Sequence, residues 1–249
     1  MKSRLNFSIS KIVLALAGST LFISACGSDA QQSTDETLIS TPSIDETLIS
    51  TSVTPTASST FRAEVWVDNW FSLYVNGQLV GEDSVPITTE RSFNSESLTF
   101  EATYPLTIAM VTKDFKETDS GLEYIGEGNQ QMGDGGFIAQ FTDLSTGVVV
   151  ATTSKNWRGF VIQTAPLNVA CEKSSDPNTD CLFENLEEPK DWATQNFDDS
   201  SWVSASTYTP QEVGTKDGYD TIKWDDSAEL IWGSNLKTDN TILWRILIP

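Results

Sequence analysis

The strongest constraint on the fold is a two-residue period broken by an Asn-Gly turn. Ala63, Val65 and Val67 alternate with Glu64 and Trp66, and Phe71, Leu73 and Val75 alternate with Ser72, Tyr74 and Asn76. Such alternation puts every second side chain on one face of a strand. Asn76-Gly77 then closes a hairpin, because a type I′ turn needs two residues that tolerate positive φ, and Leu79 and Val80 start the return strand. Further strands are expected at Ser97–Thr103, Leu106–Lys113, Gly136–Asp143, Val148–Thr153, Trp157–Ile162 and Thr241–Ile248. The apolar runs Val148–Ala151 and Ile246–Ile248 predict strands covered on both faces. Few windows show helical periodicity; Glu187–Gln195 suits a turn or two. Many strands punctuated by Gly, Asn and Asp predict an all-β chain, a β-sandwich or jelly roll.

The first residues predict an address rather than a fold. Lys2, Arg4 and Lys11 form a basic leader, and Ile12–Ile23 is a 12-residue apolar run. A helix needs about 20 residues to cross a bilayer of ~30 Å, so this run suits a secretory signal. Ile23-Ser24-Ala25-Cys26 resembles the bacterial lipobox. The resemblance implies removal of residues 1–25 and acylation of Cys26 (palmitate among the chains), and so a partner in the lipid bilayer. Several acyl chains anchor stably where one does not. Gly27 and Ser28, with no Asp in second place, imply an exported protein leaning towards the outer membrane or cell surface.

Residues 26–60 are then expected to be a lipid-anchored, disordered tether. Sixteen of residues 27–60 are Ser or Thr and five are acidic, with no Lys, Arg or aromatic residue. Such a composition has no apolar surface to offset the entropy of ordering. The heptapeptide Asp35–Thr41 recurs as Asp45–Thr51. Two copies at a ten-residue period suit a duplicated spacer better than a solenoid. A flexible coil of this length averages roughly 30 Å end to end. Residues 61–249 make one domain, which holds all eight tryptophans.

Charge and composition exclude several activities. The chain has 35 acidic and 15 basic residues, a net charge of −20 and no histidine. A pI near 4.1 argues against nucleic acid as a partner. Without histidine there is no Ser-His-Asp triad, Cys-His dyad or HExxH zinc site. After removal of the leader the net charge is −23, with −18 on residues 61–249. Such a surface repels anionic polymers and favours neutral glycans, cation-bridged polymers or basic protein partners.

Four segments together resemble a known family. Val67–Gly81 (VDNWFSLYVNGQLVG) is similar to the "DN-x-x-x-L-Y-V-N-G-x-x-V-G" stretch of galactose-binding-like jelly-roll domains. Gly133–Ala139 followed by Thr153–Trp157 resembles that fold's glycine-led strand and its later tryptophan strand. Trp192–Trp202 (WATQNFDDSSW) is similar to the "W-x-x-x-x-F-D-D-S-S-W" signature, and Leu243–Leu247 to the final strand with its aromatic-Arg pair. The match spans about two thirds of residues 61–249. It implies a galactose-binding-like jelly roll; it does not by itself imply a function.

Candidate residues follow. Asp68 and Asn69 either cap a turn or meet sugar hydroxyls or a cation at a loop end. Trp70 beside them is a candidate stacking platform for a sugar. Trp157 and Trp244 are expected in the core, and Trp192 and Trp202 in structural roles. The family implies a structural Ca²⁺, and hard cations take six to eight oxygens. Asp176 and Asp180, and Asp217 and Asp220, lie in oxygen-rich loops that either hold calcium or only reflect an acidic chain. Cys171 and Cys181 read as a disulfide in an exported protein, the alternative being two free thiols. No GxSxG, SxxK or P-loop is present. The expectation is a non-catalytic, surface-anchored module that binds carbohydrate or another cell-surface polymer. The alternatives are a structural or adhesion lipoprotein contacting envelope proteins, and a glycoside hydrolase using a carboxylate pair.

Overall fold

The computed structural model describes residues 58–88 and 94–249. Cys26, the leader and the Asp35–Thr41 repeat lie outside the described residues. The strands run β1 (Ser59–Asp68), β2 (Trp70–Val75), β3 (Gln78–Glu82), β4 (Ser95–Ala102), β5 (Leu106–Lys113), β6 (Leu122–Glu123) and β7 (Gln131–Met132). They continue with β8 (Gly136–Asp143), β9 (Val148–Thr152), β10 (Arg158–Thr164), β11 (Glu184–Asn185) and β12 (Val203–Ser204). The last are β13 (Ser206–Tyr208), β14 (Leu230–Trp232) and β15 (Asp239–Ile248). Two four-residue helices, α1 (Pro177–Asp180) and α2 (Pro210–Val213), and two 3₁₀ turns complete the described elements. β1 starts at Ser59, two residues ahead of the expected boundary.

The molecule is a β-sandwich of antiparallel sheets. One sheet has the order β13-β14-β8-β1-β4, with β9 also paired to β8; the other runs β11-β10-β15-β5-β2-β3, with β12 also paired to β10. The period-two residues predicted the core. Phe61, Ala63, Val65 and Val67 from β1 meet Phe71, Leu73 and Val75 from β2 between the sheets. Trp157 and Trp244 are fully buried there with Phe137 and Phe141. The hairpin turn is the one expected: Asn76 and Gly77 have φ of 51° and 80°. Asn76 also accepts from the Thr107 amide at 2.8 Å and donates to the Thr103 carbonyl at 3.1 Å. One turn residue therefore ties the β2–β3 hairpin to the connection between β4 and β5.

Two expectations are corrected. Val148 and Leu247 are more than half exposed, so the apolar runs are not covered on both faces. Among the described residues β9 pairs only with β8, and the end of β15 projects past its cover, which leaves these positions to solvent. Glu187–Gln195 forms turns, not a helix.

Strands β5 and β8 are buried on both faces along nearly their whole length, and each has an outer cover. On the outer face of the second sheet, Ala109, Val111 and Leu243 carry Trp192, Trp202 and Phe197. On the outer face of the first, Trp66 and Ile138 carry Val213 and Leu230. Arg245 fastens the first of these covers. It is 3% exposed, pairs with Asp199 at 2.8 Å and donates to the carbonyls of Trp192 and Thr194. The tryptophan signature and the closing aromatic-Arg strand are thus two halves of one clamp.

Cys171 and Cys181 form a disulfide with a Cα separation of 5.3 Å. It closes a short loop over Leu122, Ile125 and Met132. Replacing both cysteines with serine is expected to cost about 2–3 kcal/mol, read as a lower urea midpoint; an unchanged midpoint contradicts a stabilising role.

Candidate functional site

A groove of about 1090 Å³ runs across the outer face of the second sheet, beside the cover that Arg245 holds. Its floor follows from strand alternation. With Phe71, Leu73 and Val75 turned into the core, Trp70, Ser72 and Tyr74 of β2 face out. Val111 and Lys113 of β5 and Thr241 of β15 lie on the same side. A register shift in β10 between Val161 and Gln163 sets Ile162 and Gln163 against Thr241. Such a bulge re-aims a side chain, and both residues line the groove. Four adjacent strands at ~4.8 Å spacing make a floor roughly 15 Å across. Glu117–Asp119 form one wall and Asn185–Glu188 contribute to another.

The groove's polar groups are unevenly satisfied. The Asp119 carboxylate takes a 2.7 Å bond from Lys116, whose hydrogen bond and charge hold it below the usual carboxylate range. Glu117 accepts from the Ile125 amide at 2.6 Å, and Glu188 from the Trp192 indole at 2.5 Å. Lys113 sits over the Trp70 ring, 4.8 Å from its centroid, a cation–π contact. Among the described residues, Gln163 is 6% exposed and neither its amide nitrogen nor its amide oxygen has a hydrogen-bond partner. Leaving such a group desolvated costs about 1–3 kcal/mol.

Of the three candidate ligand-binding residues, only Trp70 lines the groove. Asp68 and Asn69 are each 1% exposed, joined by a cis peptide bond. The Asn69 amide bonds the Lys113 carbonyl at 2.9 Å, and its side-chain oxygen accepts from Phe115 N at 2.6 Å. These bonds hold the β5 exit loop that carries Lys116 and Asp119.

Asp68 belongs to a buried acidic cluster. Lys216 Nζ lies 3.4 Å from Asp68 Oδ2 and 3.3 Å from Asp134 Oδ2. Asp114 is 2% exposed, and among the described residues neither of its carboxyl oxygens has a hydrogen-bond partner. A Cβ at Gly133 would overlap that carboxyl, which explains the glycine opening the Gly133-Asp-Gly-Gly segment. Burial, then the charge of Asp134, pushes the Asp68 carboxyl up to about 8. Burial and the neighbouring Asp68 and Glu123 hold Asp114 well above the carboxylate range. For Lys216, burial works downwards, but the charges of Asp68 and Asp134 prevail and raise it.

The calcium candidates lie elsewhere. Asp176 and Asp180 are exposed around α1, where Asp180 accepts from the Ser174 hydroxyl at 2.5 Å; Asp217 and Asp220 are exposed near the 3₁₀ turn Tyr219–Thr221. Among the described residues, no group of three or more acidic, Cys or His side chains is arranged to hold a metal ion.

Sequence reasoning missed Lys113, Tyr74 and Gln163. The first two could have been found by extending the outward parity of β2 and β5. Gln163 could not, because the bulge that turns it has no marker in the sequence. Comparisons with protein-family models, curated proteins and solved structures return no match.

Proposed function

We propose that the domain is a non-catalytic, surface-anchored carbohydrate-binding module with a galactose-binding-like jelly-roll fold. The groove beside Trp70 is its ligand site. The observation that carries this reading is one outward sheet face that combines the Trp70 indole, Tyr74 and the unpartnered Gln163 amide. Apolar sugar faces pack on indole, while an amide both donates to and accepts from hydroxyls. Asp119, Glu117 and Glu188 are engaged within the protein and Asp114 is buried, which favours binding over hydrolysis. Acylated Cys26 would hold the domain at the membrane on its tether.

Pulldown on polysaccharides and a glycan array, each with and without Ca²⁺, test the reading with the full chain. Trp70→Ala is expected to weaken glycan binding about tenfold or more. Absence of binding by folded protein under both conditions overturns the proposal.

A second reading, contact with an envelope protein, is favoured by another observation. Leu167, Val169, Leu182 and Phe183 are all exposed beside the disulfide, and the Leu167 amide bonds the Leu182 carbonyl at 2.8 Å. Crosslinking in cells that yields one dominant protein partner would favour this reading.

A further inference from the structure

Resting on the carbohydrate reading, we infer that the groove selects a glycan bearing a carboxylated sugar, such as a uronic acid, with Lys113 as the residue that reads the carboxylate. The domain carries −18 overall, so the bulk charge argues for neutral ligands. The groove is a local exception. Three of its lining acids are already engaged, Asp119 by Lys116, Glu117 by the Ile125 amide and Glu188 by the Trp192 indole, and the fourth, Asp114, is buried with its carboxyl against Gly133. Lys113 also lines the groove, and among the described residues no carboxylate lies within salt-bridge distance of it. Its ammonium rests on the Trp70 ring instead.

Of the two lysines that line the groove, Lys116 is paired with Asp119, which leaves Lys113 as the cation open to an anionic ligand there. The Gln163 amide nitrogen, on the same face, is a second donor for an acidic oxygen. The indole below Lys113 is left for a sugar face once the ammonium swings to the carboxylate. The surrounding negative charge sets a limit on the ligand. It is screened over about 8 Å at physiological ionic strength, so one carboxylate among neutral sugars is accommodated, whereas a dense polyanion is repelled.

The test is a glycan array of matched pairs, each acidic glycan beside its carboxyl-reduced counterpart, probed with the full chain. Acidic members are expected to bind about tenfold to a hundredfold more tightly, the range for a hydrogen bond to a charged group. Lys113→Gln should bring each pair close to parity, and Lys113→Arg should retain the preference; thermal unfolding checks that both variants fold. Equal binding within pairs, or preference for the reduced members, overturns the inference and leaves the carbohydrate reading standing. An acidic preference that survives Lys113→Gln overturns the role of Lys113. Binding to no glycan by folded protein removes the reading on which the inference rests.

Discussion

Replacing Arg245 with methionine is expected to lower the melting temperature by about 10 °C. Arg245 is buried, and its guanidinium holds Asp199 at 2.8 Å, the Thr194 carbonyl at 2.9 Å and the Trp192 carbonyl. It also lies 5.2 Å from the centroid of the Phe197 ring. Removing the guanidinium leaves the Trp192 and Thr194 carbonyls without their donor, at about 1–3 kcal/mol each, while Asp199, 31% exposed, turns to water. A domain of this size loses roughly 2–4 °C per kcal/mol. The damage should begin locally. Trp192 and Trp202 are stacked, with ring centroids 6.1 Å apart, against Ala109, Val111 and Leu243. Release of this cover should red-shift tryptophan emission before global unfolding. Arg245→Lys should recover only part of the loss, since a point charge cannot serve a carboxylate and two carbonyls at once. A methionine variant that melts with the wild type would contradict the clamp.

Stability is expected to fall as pH rises from about 5 to 9, and Asp114→Asn should remove much of that fall. Asp68 and Asp114 both have folded-state values above the unfolded carboxyl value, through burial first and neighbouring acids second. The folded state therefore holds protons that the unfolded state has released. The resulting stabilisation is complete below about pH 4 and disappears as pH rises through about 8, the value reached by Asp68. Each such group can contribute up to about 1.4 kcal/mol per pH unit within its window, so a loss of several kcal/mol is expected across the range. Asp119, Asp143, Asp198, Asp225 and Glu212 act in the opposite sense, being held low by hydrogen bonds. Their contribution is lost only as pH falls through their lowered values, which places the optimum near pH 4–5. Asparagine at 114 keeps the shape without the titrating proton. Asp68→Asn is a poorer test because it also removes the Lys216 bridge. A melting temperature that is flat or rises between pH 5 and 9 would contradict the buried cluster.

Much of the fold was legible because it rests on local rules. The Leu106–Lys113 and Gly136–Asp143 strands have the bounds that alternation and punctuation predicted. Asn76-Gly77 makes the expected turn because few other residue pairs tolerate its φ values. The short strands β13 and β14 were not legible: three residues each, they are specified by pairing with each other and with β8. Of the three candidate residues, Trp70 alone lines the groove. Asp68 and Asn69 were drawn out by their chemistry, but they end and follow a strand whose exit is covered by Lys216 and Phe115. Whether an aspartate faces solvent or a closed end depends on residues almost 150 positions away, such as Lys216. Val148 and Leu247 failed for a related reason, since hydropathy does not reveal which strand lies at an edge.

The groove beside Trp70 is the proposed ligand site. Chemical-shift mapping of the full chain with a glycan bound on the array tests it most directly. Saturable changes are predicted at the Trp70 indole, Lys113 and the Gln163 amide, with little change around Leu167 and Phe183. Saturable binding that leaves Trp70 and Gln163 unmoved, with its changes on another face, would contradict the assignment of the site.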